Sequence, residues 1–236
     1  MSTWLITGGC GFIGRNLIAR LADTDARIRV LDNGSVCGPE DLAKICAVDH
    51  VADGSVLPAR GMVQFMQGDV RDEKATQDAC RNVDIIVHLA ANTGVPKSVA
   101  DPAMDFQVNA WGTFRMLEAA RQATEATVPR PISPYGAGKL AGEGYCSAYA
   151  HCFGVETVAL RFSNVYGPWS AHKTSVVAKF LVGALRGREW EIYGDGSQTR
   201  DFLHVDDLVR AVLCAAASTR CWSWRHACAG LLRTGA

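Results

Sequence analysis

Seven residues near the start of the chain, Gly8-Gly9-Cys10-Gly11-Phe12-Ile13-Gly14, constrain its fold more than any others. They follow directly on Thr3 to Thr7, a short apolar run suited to a buried strand. Arg15 to Leu21 then carries apolar residues at helical spacing. A strand therefore feeds a glycine-rich turn that opens a helix. Glycines serve such a turn in three ways. They adopt positive φ, they let a pyrophosphate approach the backbone, and they let helix and strand pack closely. The helix start adds N–H groups and the positive end of a dipole, both of which favour an anion.

The alternation continues down the chain. Arg27 to Leu31 reads as a second strand and ends in Asp32-Asn33. Met62 to Gln67 reads as a third, followed by Gly68-Asp69-Val70, and Asp84 to Leu89 as a fourth, followed by Ala90-Ala91-Asn92. A helical stretch near Glu73 to Cys80 separates the last two. This pattern predicts an α/β fold with a doubly wound parallel (Rossmann) sheet and ligands at the strand C-termini. Asp32 lies about 20 residues past the glycines, where a carboxylate binds a ribose 2′-hydroxyl and repels a 2′-phosphate. It favours NAD over NADP, and it also starts the turn Asp32-Asn33-Gly34-Ser35.

Composition narrows the class. The 236 residues suffice for one large domain, alone or with a small second lobe, and the 48% apolar and 20% charged content is that of a globular chain. Formal net charge is zero, which gives no reason to expect a nucleic-acid or anionic-membrane partner. The start of the chain lacks the pattern of a signal peptide, and no apolar run approaches a membrane span, so a cytoplasmic location is expected. Nine scattered cysteines, an odd number, read as free thiols of a reducing compartment. Cys221, His226 and Cys228 have no second ligand pair at zinc-like spacing, so no metal is expected.

Tyr135 and Lys139 stand four apart in Tyr135-Gly136-Ala137-Gly138-Lys139 and so share one face of a helix. A free phenol ionises near pH 10, and a neighbouring ammonium favours its phenolate. The pair is a plausible proton-transfer device. His88, in an apolar strand, reads as a satisfied core histidine.

Eight segments, in order, resemble the extended short-chain dehydrogenase/reductases, in particular the NAD-dependent nucleotide-sugar epimerases and dehydratases (UDP-glucose 4-epimerase-like). They are Thr7–Gly14, Leu31-Asp32-Asn33, Gly68–Asp72, His88–Ala91, Asn109–Thr113, Ser133–Lys139, Arg161–Pro168 and Arg200–Asp207. The resemblance implies that Gly8, Gly11, Phe12, Ile13 and Gly14 hold the NAD pyrophosphate. It gives Asp32 and Asn33 the adenosine ribose, and Asp69 and Val70 the adenine. Leu89, Ala90 and Ala91 line the dinucleotide path, with Asn109 in support. Tyr135 is the acid/base, and Lys139 binds the nicotinamide ribose and lowers the tyrosine pKa. Asn164 and Arg200 contact the substrate diphosphate, and Tyr193 lies near the nucleotide base. The implied activity is C4 epimerisation of a UDP-sugar (UDP-glucose, UDP-galactose or a related uronate) by transient oxidation to the 4-keto sugar. A 4,6-dehydratase and a catalytically silent NAD-binding protein are the alternatives. A homodimer is implied through helices at Ala103 to Gln122 and Leu140 to Phe153, with Gly138, Gly142 and Gly144 permitting close approach. Residues 1–163 would form the NAD-binding domain, and 164–236 a partial, interleaved substrate-binding lobe.

The chain departs from the family pattern twice. Between the helix ending near Gln122 and the one starting near Ser133 lies Ala123 to Ile132, with two prolines and no apolar run. It cannot be a central strand. The family's strand here ends in a catalytic serine or threonine. Roughly two dozen residues of strand and loop are missing, and Ser133 reads as a helix cap rather than a substitute. After Ser218, Thr219 to Cys228 shows neither strand nor helix period.

Overall fold

A computed structural model describes residues 2–120, 134–170, 176–189, 192, 201–217 and 230–233, the last four by backbone alone. Strand β1 (Thr3–Thr7) leads through the glycine turn into α1 (Phe12–Ala22), and β2 (Arg27–Asp32) follows. A short α2 (Pro39–Leu42) and β3 (Ala47–His50) precede β4 (Met62–Gln67), α3 (Glu73–Cys80) and β5 (Ile85–His88). Next come α4 (Val95–Ala100), α5 (Pro102–Phe106), a π-helical turn (Gln107–Trp111) and α6 (Gly112–Ala120). The second half holds α7 (Pro134–Phe153), β6 (Glu156–Ala159), β7 (Asn164–Tyr166), α8 (Val176–Leu185), β8 (Phe202–His204), α9 (Val205–Ala217) and β9 (Gly230–Arg233).

Seven strands form one sheet in the order β3-β4-β2-β1-β5-β9-β6, and β7 pairs with β8 in a parallel ribbon apart. From β3 to β5 every pairing is parallel, as expected for crossover connections. The order reverses at β1, which places a crevice at its C-terminal end. The register brings Thr7, Leu31 and His88 to one level, with Asp32 opposite Gln67, so all four following loops open at one edge.

Alternation along the strands divides the core in two. Trp4, Ile6, Val30 and Val87 pack with α1 and α9 on one face. Leu5, Leu31 and Ile86 pack with Met116 and Leu117 of α6 and with Cys146, Tyr149 and Ala150 of α7 on the other. Helix α7 buries Gly138, Gly142, Cys146, Tyr149 and Ala150. A Cβ on Gly142 would come 3.2 Å from the Thr113 methyl, and one on Gly138 3.1 Å from the Asn109 Cβ. The expected role of these two glycines between copies is thus corrected. They seat α7 on its own chain, while Gly144 faces open space.

Arg29 is 0% exposed in the middle of β2, and among the described residues no carboxylate pairs with it directly. Its Nε donates to Gln64 Oε1, Nη1 to the carbonyls of Ala79 and Arg81, and Nη2 to those of Gly54 and Val56. This fan of donors pins the 51–61 segment and the end of α3 under the sheet.

Three features depart from the sequence reading. Strand β3 extends the sheet beyond β4, so Met62 to Gln67 is the fourth strand in the chain. The single helix expected from Ala103 to Gln122 is broken by the π turn. Strand β9 lies between β5 and β6 and runs antiparallel to both, pairing His88 and Ala159 with Gly230. The sheet is therefore not wholly parallel. The position that a strand between α6 and α7 would occupy in a doubly wound sheet is filled from the far end of the chain. Ala123 to Ile132, with its expected gap, and Thr219 to Cys228 lie outside the described residues.

Candidate functional site

The glycine turn packs on the loop after β5. Gly8 has φ +68°, and a Cβ there would lie 2.7 Å from the Ala90 nitrogen. No other residue type fits that place. Gly14 crosses the turn closely, where a Cβ would strike the Gly9 Cα at 2.6 Å. Gly11 precedes α1, and Phe12, Ile13 and Gly14 make its first turn. The Phe12 side chain is buried in the core, so only its backbone faces the crevice.

Asp32, at the end of β2, ties this turn to the next loop. One carboxylate oxygen accepts the Cys10 N–H at 3.0 Å and the other the Gly34 N–H at 2.9 Å. Burial raises its pKa, and these N–H groups oppose the rise. Asn33 donates to Asp69 at 2.9 Å. Arg71 grips the same carboxylate through Nε and Nη2, both at 2.9 Å, and holds Asp69 down at about 2. The Val70 side chain is buried against Gly112 of α6 and serves packing.

After β5, Thr7 organises Leu89 and Ala90. Its hydroxyl oxygen accepts both their N–H groups, at 3.2 and 3.3 Å. Its own proton must therefore go to His88 Nδ1, 2.7 Å away, which leaves the histidine proton on Nε2. His88 is buried, and burial together with the Lys139 charge pushes its pKa down to about 3. It is a neutral core group, as read from sequence, though Nε2 has no partner among the described residues. Ala91 continues this loop, and Asn92 exchanges two hydrogen bonds with the buried Asn109 side chain, at 3.1 and 3.0 Å.

Tyr135 and Lys139 stand half-buried on the first turns of α7, with the lysine Nζ 5.9 Å from the ring centroid. Asn164 opens β7, and both its backbone N–H and its side-chain amide donate to the Asp201 carbonyl at 3.3 Å. This places it beside the residue that follows Arg200. Arg200 and Tyr193 lie outside the described residues.

Sequence reading missed two groups. Arg15, on the first turn of α1, is buried, contacts Asp41 at 3.5 Å and donates to the Trp169 carbonyl at 3.4 Å. Asn16 donates to the Pro168 carbonyl at 3.1 Å, so the pair binds the glycine-turn helix to the 167–170 loop. Asp105 lies buried behind Asn109. Arg15 depends on contacts with distant segments, and Asp105, four residues before Asn109, shows its place only where its second oxygen meets Gly138 of α7.

The donor set fits a dinucleotide. A backbone cradle stripped of Cβ atoms leads into a helix start, with a carboxylate at the neighbouring strand end and an ammonium–phenol pair further along the same edge. Among the described residues no cluster of three His, Cys, Asp or Glu side chains could hold a metal, and Cys221, His226 and Cys228 lie outside them. None of the described helices is long and apolar enough to cross a membrane.

Two family models match the chain: GDP-mannose 4,6 dehydratase over residues 5–128, and the NAD dependent epimerase/dehydratase family over residues 121–221. The UDP-glucose 4-epimerase of Mycolicibacterium smegmatis is 36% identical over 234 residues, which take in 88% of this chain and 71% of that protein. Since 88% of 236 residues is fewer than 234, about two dozen positions of the relative face no residue here. The structure is similar to the UDP-glucose 4-epimerase of Thermus thermophilus in complex with NAD, with TM-score 0.74, 31% identity, and 92% and 75% of the two chains covered. It is equally similar to a dTDP-glucose 4,6-dehydratase of Streptomyces venezuelae solved with NAD bound, with TM-score 0.74, 28% identity, and 92% and 73% covered. With the glycine cradle, the Asp32 carboxylate and the Tyr135–Lys139 pair at one sheet edge, the chain belongs to the NAD dependent epimerase/dehydratase family.

Proposed function

We propose that this protein is an NAD-dependent epimerase acting at C4 of a UDP-sugar. The observation that carries the reading is the Lys139 ammonium 5.9 Å from the Tyr135 ring centroid and near enough to His88, at the end of β5, for its charge to act there. Gly8, Gly11, Phe12, Ile13 and Gly14 would hold the NAD pyrophosphate with their backbone, and Asp32 and Asn33 the adenosine ribose. Asp69 and Val70 would flank the adenine through the loop they shape, and Leu89, Ala90, Ala91 and Asn109 would line the path to the nicotinamide. NAD, when bound, supplies hydride acceptance and return at the sugar C4. Tyr135 takes the C4 hydroxyl proton and later gives it back. Lys139 stabilises negative charge on the Tyr135 oxygen and binds the ribose. Residues 164–236, apart from α9 and β9, which pack into the NAD-binding half, would supply the substrate lobe, with Asn164 and Arg200 on the diphosphate and Tyr193 by the base. An arginine suits that place because its fork matches phosphate oxygens.

Exposed Trp111 in the π turn and exposed Tyr145 and Phe153 on α7 support a homodimer through this face. The reading of the site as one for a sugar nucleotide goes with a cytoplasmic location.

A second reading, a silent NAD-binding protein, is favoured by β9. An antiparallel strand in that slot begins, rather than ends, at the ligand edge, and so presents no serine or threonine from a strand terminus there. One experiment separates the readings. The purified chain is assayed for bound NAD and incubated with UDP-glucose, with UDP-galactose and with dTDP-glucose under NMR. Interconversion at C4 is the expected outcome. A 4-keto-6-deoxy product from dTDP-glucose would instead mark a dehydratase, and bound NAD without turnover the silent protein.

A further inference from the structure

Asp105 is a buried carboxylate, 1% exposed, one residue from the end of α5. It does not cap that helix, because Asp101 already does so by accepting the Met104 N–H at 2.9 Å. Its Oδ1 accepts the Asn109 side-chain amide at 2.9 Å, and its Oδ2 has no partner among the described residues. Burying a carboxylate costs free energy that one amide donor does not recover. Its placement therefore calls for a function.

Two contacts define that placement. The Asn109 amide spends both protons, one on Asp105 Oδ1 and one on the Asn92 carbonyl at 3.0 Å. Its oxygen must then be the group that accepts the Asn92 N–H at 3.1 Å. A flipped amide would set two acceptors against each other. Asp105 thus fixes which way Asn109 points, and with it the loop from Leu89 to Asn92. The other oxygen faces α7. A Cβ on Gly138 would come 3.3 Å from it. Gly138 stands between Tyr135 and Lys139, near a helix start whose dipole favours an anion. The π turn that carries Asn109 joins these two contacts.

We propose that Asp105 is a positioning residue for the Tyr135–Lys139 pair: it locks the Asn109 amide onto Asn92 and seats the first turns of α7 at Gly138, which sets the distance between the pair and the loop after β5. The proposal rests on the reading of that pair as the proton-transfer site.

The test compares Asp105→Ala with Asp105→Asn in the full chain. Asparagine keeps an oxygen where Asn109 needs an acceptor, whereas alanine removes it. Two readouts are taken: NAD affinity, and the pH titration of the Tyr135 phenol by ultraviolet absorbance, isolated by difference from Tyr135→Phe. The alanine variant is expected to weaken NAD about tenfold and to move the Tyr135 midpoint up towards an ordinary phenol, near 10. The asparagine variant is expected to recover most of both. A folded alanine variant with unchanged affinity and midpoint overturns the proposal, as does an asparagine variant that recovers neither. If the alanine variant does not fold, Gly138→Ala, whose Cβ would press on both the Asn109 Cβ and the Asp105 carboxylate, takes its place with the same two readouts, and a folded variant with both unchanged overturns the proposal. Should Tyr135 titrate as an ordinary phenol in the parent chain, the proton-transfer reading falls, while the affinity contrast still decides the role of Asp105.

Discussion

Strand β5 has two different neighbours. On one flank, β1 pairs with it in parallel from Trp4–Ile85 to Thr7–His88, inside a block of five parallel strands. On the other, β9 pairs with it in reverse, and only through Gly230–Arg233, drawn from more than 140 residues further along the chain. The first flank is built from successive parallel strands joined through α1, α2, the 51–61 segment and α3. The second needs a distant segment to come home before β5 and β6 share a ladder. Loop-closure entropy opposes such pairing until the contacts exist to offset it. The cofactor cradle belongs to the first flank and the Tyr135 helix lies over the second. Binding and catalysis are therefore expected to differ in how easily they are lost.

The largest expected effect comes from removing residues 230–236. Both β5 and β6 would lose a ladder partner, and the second flank should lose cooperative folding, at a cost of several kcal/mol. Urea unfolding by circular dichroism checks this. An unchanged midpoint and slope would show that β9 contributes nothing to the sheet. Arg29→Met attacks the first flank instead. It strands a glutamine oxygen and four carbonyls around a fully buried site, and about 3–5 kcal/mol of stability should go. A loss below about 1 kcal/mol in the same assay would mean that these acceptors find other partners.

A smaller effect is expected at the cradle. Gly8→Ala forces a Cβ onto the Ala90 backbone at positive φ, for about 1–3 kcal/mol of strain. NAD affinity by calorimetry should fall with it, and an alanine variant that binds as the parent does would break the cradle reading. The smallest, taken per pH unit, is a pH slope. His88 faces Thr7 on one flank and Gly230 on the other, and its folded pKa of about 3 lies below the unfolded 6.5. Between those values the unfolded chain binds the extra proton. Stability should therefore fall by about 1.4 kcal/mol per pH unit as pH drops through this window, and level off below it. His88→Asn should flatten the curve, and acid unfolding with the same slope in that variant would assign the effect elsewhere.

Much of the first flank was legible in order. Thr3 to Thr7, the glycine turn, Asp32, Met62 to Gln67 and His88 each carry a local signal, either an apolar run or a turn residue where geometry demands one. Strand β3 carries none, because an edge strand of Ala47-Val48-Asp49-His50 is largely exposed and needs no apolar run. The π turn escaped because the apolar spacing of α5 and α6 fits one continuous helix nearly as well. In the site, Tyr135, Lys139 and Asn109 announced themselves by motif. Asp105, Thr7 and Arg15 did not, because each matters only through the group it meets.

The sequence by itself determined the strand–turn–helix start, the line of loops at one sheet edge and the phenol–ammonium pair, since these rest on backbone conformation and on spacings of a few residues. Tertiary structure alone decided what stands beside β5, which way the Asn109 amide points and what Gly138 and Gly142 pack against. Those outcomes are set by hydrogen bonds and close contacts between separate elements, and whether such partners meet is decided only when the whole core closes.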